Sequence, residues 1–185
     1  MGFTRLAFMQ ISRSRHLSPS FLVPKLTIGS VEAWGSWAIA EMLYELYPDS
    51  SLMPKDPVAR AHCRSICGEM VSGFANMRAA LPMNLRASHK QFKVWAGAKP
   101  DIQRICTIWR DCLKTYGGPY LFGTEPTMAD AMYAPVCTRF HTYSVELDLV
   151  AGNYCKTILG WALLQEWTKA ALTEPDELEE LDLEF

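Results

Sequence analysis

Apolar positions along most of this chain return every three or four residues, the period of a helix with one buried face. Ser36 opens the first such stretch, with Ile39, Met42, Leu43 and Leu46 in register and Pro48 as its stop. Pro57 suits the first turn of a second, where a missing N–H costs nothing. Behind it Ile66, Met70, Phe74, Met77 and Leu81 step by 4, 4, 3 and 4, which predicts one continuous stripe up to Pro82. A third stripe, Ile102, Ile105, Trp109, Leu113 and Tyr116, follows Lys99-Pro100-Asp101 and ends at Gly117-Gly118-Pro119. Thr127 to Phe140 is apolar almost all round, the mark of a helix at the centre of a bundle. Further helices are expected near Val145 to Tyr154 and Leu159 to Leu172. The run that reads as a strand is Phe21 to Gly29, and Pro24 within it belongs at an edge or a turn. The expected fold is mainly α: a small α/β piece followed by an all-helical bundle.

The central helix carries its own start signal. In Thr127-Met128-Ala129-Asp130 the threonine side chain can accept from the N–H of Asp130, and the Asp130 carboxylate can reach back to the N–H of Thr127. In a buried helix each unpaired terminal N–H would cost about 1–3 kcal/mol. Thr127 and Asp130 are therefore read as a structural cap, not as a catalytic pair. Pro135 inside the same helix removes one donor and predicts a kink.

Composition narrows the function classes. The chain is 49% hydrophobic and 21% charged, with a net charge of −2, so no global field recruits nucleic acid or an anionic membrane. No apolar run approaches the roughly 20 residues that cross a bilayer. The charge is uneven: no acid precedes Glu32, whereas Glu174 to Glu184 holds seven acids and no base. Residues 1–16 read as an unpatterned basic leader, with an organellar transit peptide as the alternative, and 173–185 as a solvated acidic tail. A reducing, cytoplasmic location is the default. The six cysteines, at 63, 67, 106, 112, 137 and 155, sit singly in apolar segments, and no metal site is assigned to them. His16, His62, His89 and His141 have no Cys or carboxylate partner at useful spacing and receive no role.

Several stretches, in order, resemble the glutathione S-transferase superfamily. Gly123-x-x-x-Thr127-Met128-Ala129-Asp130, preceded by Tyr120-Leu121-Phe122, resembles the capping box of that family's helical C-terminal domain. Leu17-Ser18-Pro19-Ser20-x-x-Val23-Pro24-x-Leu26 is similar to the segment that holds its cis-proline. Trp34-Gly35-Ser36-Trp37-Ala38-Ile39-Ala40-Glu41 is similar to its strand-to-helix turn, and Arg60 to Leu85 to the first bundle helix of bacterial-type members. The resemblance implies a partial thioredoxin-like glutathione-binding domain over 17–48 and the all-α domain over 57–172.

It also implies function: glutathione-dependent transfer to, or isomerisation of, a small hydrophobic electrophile by a homodimer, with maleylacetoacetate isomerases among the similar relatives. Glutathione is the implied co-substrate, with no metal. Val23, before Pro24, would pair its backbone with the cysteinyl part of glutathione, and Gly35-Ser36 would grip the γ-glutamyl group. Gly35 stands where the family has an acid. Met77, Asn84 and Tyr133 are candidates to line an acceptor pocket. No catalytic residue is assigned, because the family's thiol-activating residue has no counterpart among the matched positions. The alternative is a GST-like protein that binds or dimerises without turnover, or a reading frame in which residues 1–16 are out of register.

Overall fold

The computed structural model describes residues 24–174, and the chain divides into two compact units between Ser50 and Ser51. Val23, the leader and residues 175–185 of the acidic tail lie outside the described residues.

In the first unit, β1 (Lys25–Ile28) and β2 (Val31–Trp34) form an antiparallel hairpin with Lys25 opposite Trp34 and Ile28 opposite Val31. Of the strand expected over Phe21 to Gly29, the described part is β1, which follows Pro24, whose fixed φ and missing N–H suit a strand edge. β2 has no hydrophobic alternation to announce it: Val31, Glu32 and Trp34 are exposed. It is held by the ladder and by a Lys25–Glu32 ion pair at 2.8 Å. Gly35 then turns the chain with φ +82°, a region that Cβ-bearing residues avoid, into α1 (Ser36–Leu46). Among the described residues of this unit only Ala40 is buried, while Val31, Trp34, Leu46 and Tyr47 are exposed.

The second unit is helical: α2 (Pro57–Ser72), α3 (Ala75–Ala80), α4 (Lys99–Tyr116), α5 (Met128–Thr142), α6 (Leu149–Leu159) and α7 (Ala162–Leu172). The single stripe expected from Ile66 to Leu81 is two helices. Gly73 ends α2 in an extended conformation, and a Cβ there would lie 2.7 Å from the Glu69 carbonyl oxygen. Phe74 follows in the left-handed region, φ 60° and ψ 34°, with its ring 7% exposed. Ring burial, worth about 1.5–3 kcal/mol, outweighs the roughly 1–2 kcal/mol of that backbone. Periodicity continued across the break because Ile66 and Met70 before it, and Phe74, Met77 and Leu81 from it onward, are all buried.

Two arginines make the break tolerable by serving the helix ends. The Arg78 guanidinium donates to the Met70 and Val71 carbonyls at the end of α2. The Arg139 guanidinium donates to the Arg78 and Leu81 carbonyls at the C-terminal end of α3. These are orphan acceptors that would otherwise face partly buried surroundings.

Boundaries of the last two helices also differ from expectation. The helix expected from Val145 starts at Leu149, because Asp148 is its cap: Asp148 Oδ1 accepts from the Val150 and Ala151 N–H groups, each at 3.0 Å. The next begins at Ala162, after Gly160 and Trp161, instead of Leu159. Hydrogen bonds from its own helix N-terminus, then from Arg110, hold the Asp148 carboxyl below its ordinary value. A lowered acid stabilises the fold above its unfolded value near 3.8, and that contribution is lost as pH falls through the folded value. Asp148→Ala is expected to cost about 1 kcal/mol at neutral pH. Thermal melts should show the gap between variant and parent closing below pH 4, and a constant gap would contradict the capping role.

α5 packs between α2 and α6, and α4 against α6. Trp109 of α4 is the centre of this core, with no exposed surface. Its ring meets those of Tyr154 at 4.8 Å, Phe140 at 5.7 Å and Tyr133 at 6.0 Å. Among the described residues, no helix is long and apolar enough to cross a membrane.

Candidate functional site

The positions singled out for ligand binding in the first unit lie at one corner. The Gly35 N–H donates to the Pro24 carbonyl at 2.9 Å, which places the residue ahead of β1 beside the start of α1. No side chain caps α1, so the N–H groups of its first turn, beginning with Ser36, remain available to an anion. The positive φ of Gly35 explains a glycine at this turn, and open space surrounds its Cα. It also means that no side chain at 35 can receive an ammonium group. Ser36 is exposed, and the Val23–Pro24 peptide lies outside the described residues.

In the second unit two of the three acceptor-pocket candidates are core residues and the third is half-buried. Met77 and Tyr133 have no exposed surface, and the Tyr133 hydroxyl donates to the Ile66 carbonyl at 3.2 Å. Burial pushes the Tyr133 phenol well above its ordinary range. Asn84 is half-buried, and its Oδ1 accepts from the Arg86 and Ala87 N–H groups at 2.9 and 3.1 Å.

Thr127 and Asp130 form the capping box of α5, and Asp130 does more than cap. It is fully buried, and its carboxylate accepts from the Thr127 N–H at 2.8 Å, the Thr127 hydroxyl at 3.0 Å, the Leu121 N–H at 3.0 Å and the Tyr154 hydroxyl at 3.1 Å. One oxygen thus closes the helix start while the other pins the preceding loop and α6. Burial pushes the Asp130 carboxyl up and the four donors pull it back, with burial the larger influence.

Two groups left without a role in the sequence acquire partners in the fold. His62 Nδ1 lies 2.9 Å from the Tyr116 hydroxyl and Nε2 lies 4.0 Å from Cys112 Sγ, partners 54 and 50 residues away. His89 stacks on Tyr143, with ring centres 5.1 Å apart. Linear spacing could not reveal either pairing. The cysteine beside His62 is not a reactive thiol, because burial pushes Cys112 to about 12, and burial likewise pushes Cys106 to about 11, keeping both protonated at neutral pH. Cys63 is lowered, chiefly by a hydrogen bond with Cys67, but both are fully buried. Among the described residues no three His, Cys, Asp or Glu side chains gather as metal ligands.

Comparison with known proteins places this architecture. Residues 90–170 match the family described as glutathione S-transferase, C-terminal domain. The chain is 30% identical over 142 residues to a probable maleylacetoacetate isomerase of Caenorhabditis elegans, a match covering 74% of this chain and 64% of that protein. The chain thus spans less than two thirds of that relative's length. Among solved structures, a bacterial maleylpyruvate isomerase described as a zeta-class glutathione S-transferase superposes with a TM-score of 0.64 at 22% identity. A glutathione transferase homologue from Burkholderia, solved with bound glutathione, gives 0.63 at 20% identity. Each superposition covers 89% of this chain and 80% of the other.

Proposed function

This chain belongs to the glutathione S-transferase superfamily, and from that premise we propose that it binds glutathione through its first unit. In this reading it works as a homodimer on a small electrophile, by transfer or isomerisation. Isomerisation of the maleylacetoacetate or maleylpyruvate type is the reaction that the names of its relatives favour.

The observation that carries the reading is the corner at Pro24 and Gly35. One hydrogen bond there brings the edge expected to pair with a peptide-like ligand beside the uncapped helix start expected to take a carboxylate. When bound, glutathione supplies the thiolate nucleophile. The residues of this chain bind and orient: the Ser36 hydroxyl and the first N–H groups of α1 face the γ-glutamyl carboxylate, and the helix dipole favours the charge. Val23 and Pro24 are the residues assigned to the cysteinyl peptide of the ligand. Asn84 is the accessible member of the acceptor set, whereas Met77 and Tyr133 are fully buried.

Gly35 favours a second reading, binding without turnover. With no carboxylate at 35 the ligand's ammonium loses one charge-assisted hydrogen bond, about 1.5–3 kcal/mol or one to two decades of affinity.

Retention on immobilised glutathione, measured together with turnover of a maleyl-type substrate and a generic aryl halide, tests both. Retention with turnover is expected, and Ser36→Ala should weaken retention by about tenfold or more while leaving the melting of the helical unit unchanged. Retention without turnover selects the second reading. A folded chain that is neither retained nor active would sink both.

A further inference from the structure

The acidic residues that close the sequence take no part in the function proposed above, and the helical unit carries a groove that matches them. It has a volume of about 400 Å³ and lies between the C-terminal half of α5, α6 and the segment around Ser88 to Lys90. Phe140, Val145, Leu147 and Leu159 contribute apolar lining, and Lys90, His141 and Lys156 contribute basic groups. Among the described residues, no carboxylate lines it. Both lysines are exposed, and among the described residues neither has an ion-pair partner.

The walls of this groove are built, not incidental. The Thr142 hydroxyl donates to the Asn84 carbonyl at 2.8 Å, and the His89 N–H donates to the Thr142 carbonyl at 2.7 Å. These bonds fasten the 84–90 segment to the end of α5, so Ser88 and Lys90 face His141 and Ser144 across one opening.

α7 ends at Leu172, and the Glu174 carbonyl accepts from the Arg86 guanidinium at 2.7 Å. Residue 174 is therefore held next to the segment whose Ser88 and Lys90 line the groove. The residues that follow read Pro-Asp-Glu-Leu-Glu-Glu-Leu-Asp-Leu-Glu-Phe: six acids, no base, and Leu178, Leu181, Leu183 and Phe185 interleaved. Eleven residues reach up to ~36 Å when extended, ample to traverse the opening.

We propose that residues 175–185 dock into this groove of their own chain, their apolar side chains on its floor and their carboxylates against Lys90, His141 and Lys156. Charge complementarity selects an acidic segment over a basic or neutral one, and the apolar floor selects one with interleaved leucines over a plain acidic run. Tethering at Arg86 makes the occupant intramolecular, at an effective concentration that a free partner would have to exceed.

Zero-length carbodiimide cross-linking of the full chain, mapped by mass spectrometry on the monomer, tests this. The informative control is Lys169, which is exposed on α7 and closer in sequence to the acidic residues than either groove lysine. Docking predicts that tail carboxylates couple to Lys90 and Lys156 roughly tenfold more than to Lys169. It also predicts that this preference disappears in the Leu178→Ser, Leu181→Ser, Leu183→Ser triple variant, which keeps every charge. Equal coupling to Lys169, or a preference that survives the triple variant, would mean tethered proximity alone and would overturn the proposal. Cross-links that join differently isotope-labelled chains instead of one chain would reassign the groove to a second copy. Circular dichroism of the triple variant confirms that the helical unit is intact, so loss of coupling reports on docking.

Discussion

Asp130→Ala is expected to unfold or nearly unfold the helical unit. The substitution removes the acceptor shared by the Thr127 and Leu121 N–H groups and the Tyr154 hydroxyl, all at buried positions. Each donor left unpaired costs about 1–3 kcal/mol, so the sum is at least about 3 kcal/mol. Typical domains hold only about 5–15 kcal/mol in total. Urea unfolding followed by circular dichroism should show the midpoint collapse, and a loss under about 1 kcal/mol would refute the account.

Asp130→Asn should be milder, because it keeps one acceptor oxygen while turning an amide NH₂ toward groups that also donate. The pH dependence has a definite sign. Burial raises the carboxyl, so the folded chain takes up its proton at a higher pH than the unfolded chain does. That contribution is full below the unfolded value near 3.8 and declines as pH rises through the folded value. The penalty of the asparagine variant should accordingly shrink with rising pH across that window.

Trp109→Ala should be the costliest change in the apolar core, about 3–5 kcal/mol. The side chain is fully buried among Tyr133, Phe140 and Tyr154, and its removal leaves a cavity that the three helices around it cannot easily close. Trp109→Phe separates two contributions that alanine confounds. The indole Nε1–H is buried with no hydrogen-bond partner among the described residues, which penalises the native residue. Phenylalanine keeps most of the aromatic contact and removes that donor, so its cost should stay below about 1.5 kcal/mol. A phenylalanine variant as damaged as the alanine one would show that the indole N–H does find an acceptor.

Much of this architecture was readable because helices bury a face at a fixed period. The stripes behind Pro57 and Pro100 and the all-round apolar run after Thr127 each became helices in the second unit. Family and fold class were readable for a related reason: capping chemistry at Thr127 and Asp130 and the turn at Gly35 are local, set by residues within a few positions. β2 was not readable from its own residues, since Val31 and Trp34 are exposed and its stability comes from the partner strand. The break at Gly73 and Phe74 was hidden because burial continues through it.

What the sequence by itself determined, then, is the set of local agreements: where helices start, which face they bury, and which turn needs glycine. The tertiary structure alone decided the long-range partners: Leu121 and Tyr154 on Asp130, Arg139 on the Leu81 carbonyl, Tyr116 and Cys112 beside His62. The reason is physical. A periodic pattern records that a residue is buried, but a hydrogen bond between elements depends on how two helices are placed against each other, which summed packing sets and no single segment encodes.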